Sequence, residues 1–262
     1  MRRWGFPFSL ASVWYWTVLI YLLLPLLVLW VMSFKDSSFV GFPITNWTLQ
    51  WYKDLVADKD ISSAFFYSVF ISLAATAVAM PIGIWIGIAL GTDRFWGRSL
   101  LFAGAALPAI VPAIINAISL RIFAQNVGVP PGTLALVLGL ASHCVPFVVI
   151  MIMTRLRSMP KSHVEAAQDL GADRFMTFFY VTLPFLRPAL LGALVFCLLI
   201  SFDDFIRAFF LTGFKMTLPL LIYAKLSVSM SPAVTAIASA VVILTTVAGL
   251  YAERKTRKIG VR

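Results

Sequence analysis

Asp203, Asp204 and Arg207 stand within five residues of one another in an otherwise apolar stretch, where an ionisable group is costly unless it faces protein or water. On one continuous helix Arg207 follows Asp203 by four residues and Asp204 by three, so an intrahelical salt bridge takes up one carboxylate and leaves the other to attract a cation. At helical rise the two carboxylates lie about 24 Å beyond Arg187, in the outer part of a membrane. Lining a route for a cationic solute is one reading, and a pair at the level of the outer headgroups is the other. Asn116 and Ser119 share a helix face and can bond either a passing solute or a neighbouring helix. Arg121 suits an anionic group or snorkels to the headgroups. Reactive chemistry is absent from the motifs. There is no GxxxxGK[ST] phosphate loop and no Gly-Lys dipeptide, so no backbone cradle for a triphosphate exists. HExxH and GxSxG are also missing, which excludes the commonest hydrolytic centres. Cys144 and Cys197 lie in apolar segments without a CxxC or His/Cys cluster, and His143 has no partner motif. All three are read as packed residues, with no metal and no cofactor implied.

The elements that must position these groups are membrane spans. Of 262 residues 61% are hydrophobic and 12% charged, with a mean hydropathy of +0.93, against about 25% charged in soluble domains. Six apolar stretches are long enough to cross a core of about 30 Å: 13–32, 64–90, 99–124, 134–153, 188–212 and 232–252. The sequence predicts an all-α membrane protein, one domain over 1–262, embedded in the lipid bilayer. The first stretch follows Arg2 and Arg3, exceeds a secretory h-region in length and is read as a retained helix. A net charge of +10 is a mark of nucleic-acid binders, but here the basic residues flank apolar runs, and no nucleic-acid partner is expected. With the N-terminus inside, 14 of the 21 Lys and Arg fall in inner segments, so both termini are expected in the cytoplasm. The outer connector 33–63 carries Trp47, Trp51 and Tyr52 and suits a short interfacial helix. Gly83, Gly87 and Gly91 recur every fourth residue as a smooth stripe for close helix packing.

The inner connector 155–187 is the most informative. Pro160 starts a short helix over 161–170, and Gly171 stops it, being tolerant of the left-handed conformation at a helix C-terminus. A second short helix is expected over 173–181, ended by Pro184. Ala166 and Ala167 leave one side smooth for close approach by another protein.

Glu165-Ala166-Ala167, three residues, Gly171, nine residues and Val181-x-Leu183-Pro184 resemble the EAA loop of bacterial ABC importer permeases, with Val where Ile is commoner. Cys144 to Val149 ahead of Arg155-Leu156, then Ser201-Phe202-Asp203-Asp204, Leu218-Pro219-Leu220 with Ile222-Tyr223, and Ser231-Pro232 before Val234 and Ala236 resemble the second permease of spermidine/putrescine importers. The resemblance covers the second to the sixth span. It implies a type I (MetI-like) importer permease in a bacterial inner membrane. It also implies that a loop formed by Glu165, Ala166, Ala167, Asp169, Leu170, Gly171 and Ala172 seats in a separate ATPase. The partners so implied are an ATP-binding-cassette ATPase dimer, a second permease subunit and an extracytoplasmic solute-binding protein. ATP would be hydrolysed by the partner, not by this chain.

Two departures bear on the solute. Arg207 stands where the polyamine permeases carry an apolar residue, and Ala233 and Thr235 stand where they tend to carry Glu and Asn. These leave room for a zwitterion or smaller amine beside a polyamine. The competing class is a self-sufficient channel or ion-coupled transporter, which is expected to show broken helices or an intramembrane charge network near the bilayer centre.

Overall fold

The computed structural model describes residues 10–37, 41–92, 95–228 and 232–260. Arg2, Arg3 and Ser231, invoked above, lie outside the described residues. The α-helices in chain order are α1 Leu10–Met32, α2 Gln50–Ala57, α3 Lys59–Thr92, α4 Arg98–Ile110, α5 Ala113–Asn126, α6 Thr133–Arg157, α7 Lys161–Asp169, α8 Arg174–Thr177, α9 Leu183–Phe202, α10 Phe205–Leu211, α11 Leu218–Val228 and α12 Pro232–Gly260, with a π-helical turn over Phe178–Thr182. The described residues hold no strand, only an isolated bridge between Lys35 and Trp47. By length and composition α1, α3, α6 and the continuous stretch Arg174–Phe202 suffice to cross a membrane, and the bent pair α4 and α5 passes the same test only when taken together as one broken span. In α12 the apolar part Pro232–Val247 is shorter.

Two expected spans are broken. Residues 99–124 form α4 and α5, bent by 109° at Val111 and Pro112. Proline has no N–H and its ring drives the preceding residue out of the helical region, which is where Val111 is found, with φ −70° and ψ 131°. Residues 188–212 are not one helix either. α9 ends at Phe202, Asp203 and Asp204 form the break, and Asp204 caps α10 by accepting from the N–H of Arg207 at 2.8 Å. An aspartate that can bond the backbone locally favours such a cap over continuing a helix.

A third expectation fails in the opposite sense. Pro184 does not end the helix begun near Asp173, and the chain stays helical from Arg174 to Phe202. The π turn just before it carries an N–H of Leu183 bonded to the carbonyl of Phe178, and this wider turn absorbs the proline that an α-helix would reject.

The chain divides into two compact units. One runs to Ile61 and adds Ile222–Leu244. Within it Ser33 Oγ and Tyr52 OH are 2.7 Å apart, and the indole N–H of Trp51 donates to the carbonyl of Lys35 at 2.8 Å, so α2 folds back on the end of α1. Lys225 Nζ pairs with Asp58 Oδ2 at 3.1 Å. Burial of the Asp58 carboxyl opposes its ionisation, but the N–H groups of Ile61 and Asp60 and the Lys225 ammonium outweigh that and hold it below the ordinary carboxylate value. α1 exposes large apolar side chains on every side, from Trp14 and Tyr15 to Trp30.

The other unit, Ser62–Leu221 with Thr245 onward, is built on α6. Most of the apolar window of α6 is buried, and its Cys144, Val148, Val149 and Ile152 are fully enclosed with Leu186, Ala193 and Cys197 of α9. Against its other face lies α3. A Cβ on Gly83 would meet Val148 Cβ at 2.5 Å, one on Gly87 would meet Ile152 Cβ at 2.8 Å, and one on Gly91 would meet the Leu156 side chain at 2.8 Å. The glycine stripe thus lets two backbones approach where apolar burial alone gives no driving force between helices in lipid.

Candidate functional site

The loop between α6 and α9 is a built projection. Pro160 is extended at φ −61° and ψ 133° and starts α7 without a side-chain cap. At the far end Gly171 has φ +84°, its N–H donates to Gln168 O at 2.9 Å, and the N–H of Ala172 donates to Ala167 O at 3.0 Å. This is the two-bond glycine closure of a helix, and only a residue without a Cβ adopts that φ cheaply. Asp173 then caps α8, accepting from Met176 N at 2.7 Å, while Thr177 Oγ1 donates to the Asp173 carbonyl at 2.8 Å. The base of the projection is pinned by Arg155. Its guanidinium carbon lies 4.0 Å from the centre of the Phe185 ring, and its Nε donates to the Phe185 carbonyl at 3.1 Å.

No residue of α7 is buried, and Glu165, Ala166 and Asp169 are exposed. Glu165 takes no part in capping its own helix. Leu170 is 88% exposed and Phe175 70% exposed, with Met176 and Phe179 open beside them. Four large apolar side chains are thus exposed together around the glycine elbow. Sequence reasoning included Leu170 but missed Phe175 and Met176. Their signal was available: bulky apolar residues flanking the glycine elbow, outside every span.

The second cluster lies where the two broken helices meet, α5 packing on α10. Arg207 is 2% exposed. Its Nη1 pairs with Asp204 Oδ2, and its Nε donates to Asn116 Oδ1 at 3.3 Å, so three of the five expected pathway residues form one network. The Arg207 Nη2 is buried without a partner. Asp203 and Ser119 are exposed and stand outside this network. Arg121 reaches the same junction, its Nη1 donating to Phe210 O at 3.4 Å. His143 packs edge-on against Phe147, with its Nδ1 buried and unpartnered. Deeper in, Cys144 Sγ lies 3.2 Å from Ser201 Oγ, a contact between α6 and α9 that no sequence motif signals. Among the described residues no group of three or more His, Cys, Asp or Glu side chains is placed to hold a metal.

Residues 79–260 match the family described as binding-protein-dependent transport system inner membrane component. The chain belongs to this family. It is therefore a multi-pass inner-membrane permease, consistent with its apolar helices. The chain is 31% identical over 245 residues to the spermidine/putrescine transport system permease protein PotC of Shigella flexneri, covering 92% of each. It is 30% identical over 240 residues to the putrescine transport system permease protein PotI of Escherichia coli strain K12, covering 88% of this chain and 85% of the relative. Among solved structures, a bacterial ABC transporter importing the acidic polysaccharide alginate aligns with TM-score 0.74 at 17% identity, over 95% of this chain and 93% of that one. The inward-facing MetNI methionine ABC transporter aligns with TM-score 0.67 at 19% identity, over 76% of this chain and 95% of that one. At these identities the structures speak for the fold, which is that of MetI-like importer permeases.

Proposed function

We propose that this permease is the transmembrane subunit of an ATP-binding-cassette importer that carries a polyamine such as putrescine or spermidine into the cytoplasm. The whole chain acts as one permease domain with both termini in the cytoplasm. It pairs with a second permease subunit, takes solute from an extracytoplasmic binding protein, and is driven by a separate ATPase dimer. The observation that carries this reading is the rigid, exposed hook of Glu165 to Ala172. It can transmit motion only to the extent that a partner holds it differently in two states, as nucleotide binding and hydrolysis provide. The exposed Leu170 and Phe175 supply the apolar contact, and the pinned base at Arg155 passes the movement to α6 and α9.

For the solute, the polyamine relatives and the exposed Asp203 support a cation. The pairing of Asp204 with Arg207 favours a second reading in which the net field is weaker and a zwitterion or smaller amine is carried. Asn116 then holds the helix junction, and Asp203 with Ser119 faces the route. The test is uptake of labelled putrescine, spermidine and a neutral zwitterion into proteoliposomes that contain this chain, its second permease and the ATPase, with binding protein outside. Uptake that needs both ATP and ATPase supports the importer. Uptake by this chain alone establishes the self-sufficient transporter instead.

A further inference from the structure

A cavity of about 660 Å³ opens between α3, α4 and α6, lined by Ile82 and Ile86, by Leu101 and Ala105, and by Ala141 and Val145. The polar hydroxyl on its wall, Ser142 Oγ, is already spent on the carbonyl of Gly139 at 2.9 Å. The groove therefore offers an occupant apolar surface and makes no hydrogen-bonding demand on it. It is open where small residues leave room: a Cβ built on Gly97 or Gly104 meets nothing within 4 Å, in contrast to the tightly packed Gly83 and Gly87. The lined part of α4, from Gly97 to Pro108, rises about 16 Å, close to one leaflet of a core of about 30 Å.

One end of this groove is cationic. Ile82, Ile86 and Leu90 follow one another every fourth residue, so the Leu90 carbonyl lies one turn beyond the lining of α3. Arg98 Nη2 donates to that carbonyl at 2.6 Å and Arg157 Nη2 donates to it at 3.4 Å. One donor suffices to cap a carbonyl near a helix C-terminus. Two guanidinium groups converging on it repel each other, and neither has a carboxylate within ion-pair distance among the described residues. The depth is marked as well. Trp96, between the two helices, is completely exposed, as indole rings at the headgroup level are.

We propose that this groove is a binding site for an anionic phospholipid, with an acyl chain along α4 and the phosphate held by Arg98 and Arg157. The site lies at the end of the bundle that bears α7, since Arg157 closes α6 just before the hook. An anionic lipid there screens the two guanidinium groups and fills the groove between α3, α4 and α6. The inference needs only that the chain spans a membrane and does not depend on the solute carried.

The test uses the purified full chain in detergent micelles, titrated with dioleoylphosphatidylglycerol or dioleoylphosphatidylcholine and read by native mass spectrometry. The anionic lipid should be retained at about tenfold lower concentration, and millimolar inorganic phosphate should not displace it. Arg98→Gln with Arg157→Gln should remove the preference, whereas Arg98→Lys with Arg157→Lys should keep most of it. Gly104→Leu, which fills the groove and leaves both arginines in place, should reduce retention of both lipids. A photo-crosslinking residue at Leu100 should label lipid in native membranes. Equal retention of the two lipids overturns the proposal, as does a preference that survives the double Gln variant, unchanged binding by Gly104→Leu, displacement by free phosphate, or crosslinking of Leu100 to a polypeptide.

Discussion

Arg207 and Asp204 are joined twice across the first turn of α10. The carboxylate accepts from the Arg207 backbone N–H at 2.8 Å through one oxygen and pairs with the guanidinium through the other. Cap and counter-ion are thus one residue, and the break in the fifth crossing and the neutrality of its buried arginine depend on it together.

Asp204→Ala should accordingly be severe. It removes the cap and leaves a 2% exposed guanidinium without its counter-ion, a loss of about 3–5 kcal/mol for a buried pair. Thermal unfolding in detergent checks this. The double variant Asp204→Leu with Arg207→Met should recover most of the loss, and a double variant as unstable as Asp204→Ala would show that the pair is not the cause.

Asp203→Asn tests the pathway without that penalty, because Asp203 is exposed and lies outside the network. Uptake of a divalent amine in proteoliposomes should fall about tenfold in kcat/KM, equivalent to about 1.4 kcal/mol, while co-purification of the ATPase stays unchanged. An unaltered uptake rate would remove Asp203 from the route.

At the elbow, Gly171→Asp places a Cβ on a residue at φ +84°, a strain of about 1–2 kcal/mol for an L-residue. The hook is exposed and the spans do not depend on it. The variant should insert and remain folded, yet lose ATP-driven uptake. Normal uptake in vesicles would refute the coupling role.

Leu170→Ser and Phe175→Ser separate docking from folding. Both side chains are largely in water, so melting should shift little, but ATPase retained through purification should drop at least about tenfold if they fill a buried apolar contact. Full retention would place the contact elsewhere.

Acid should loosen the junction of α2 and α3. The folded-state value of the Asp58 carboxyl is depressed, so its stabilising contribution is present above the unfolded carboxylate value of about 3.9 and is lost as pH falls through the folded one. Hydrogen exchange at the amides of Asp60 and Ile61 should therefore speed up below about pH 4 beyond the intrinsic trend. Asp58→Asn should show that faster exchange already at neutral pH and no further acid step.

The sequence by itself determined that the chain crosses a membrane, where most of the crossings lie, that α3 carries a packing stripe, and that a glycine-closed hook follows the fourth crossing. Each depends on local information: apolar runs of membrane length, small residues every fourth position, a proline that starts a helix and a glycine that ends it. Only the tertiary structure decided that residues 99–124 turn through 109°, that the fifth crossing stops at Phe202, and that Pro184 is carried through a π turn. A proline in an apolar run can kink, break or be absorbed, and which occurs depends on the neighbours that satisfy the freed carbonyls. For the same reason Asp203 and Asp204, adjacent and chemically identical, took different roles. Asp204 was enclosed because it caps α10, whereas Asn116, 91 positions from Arg207 along the chain, reaches the guanidinium only because α5 packs on α10.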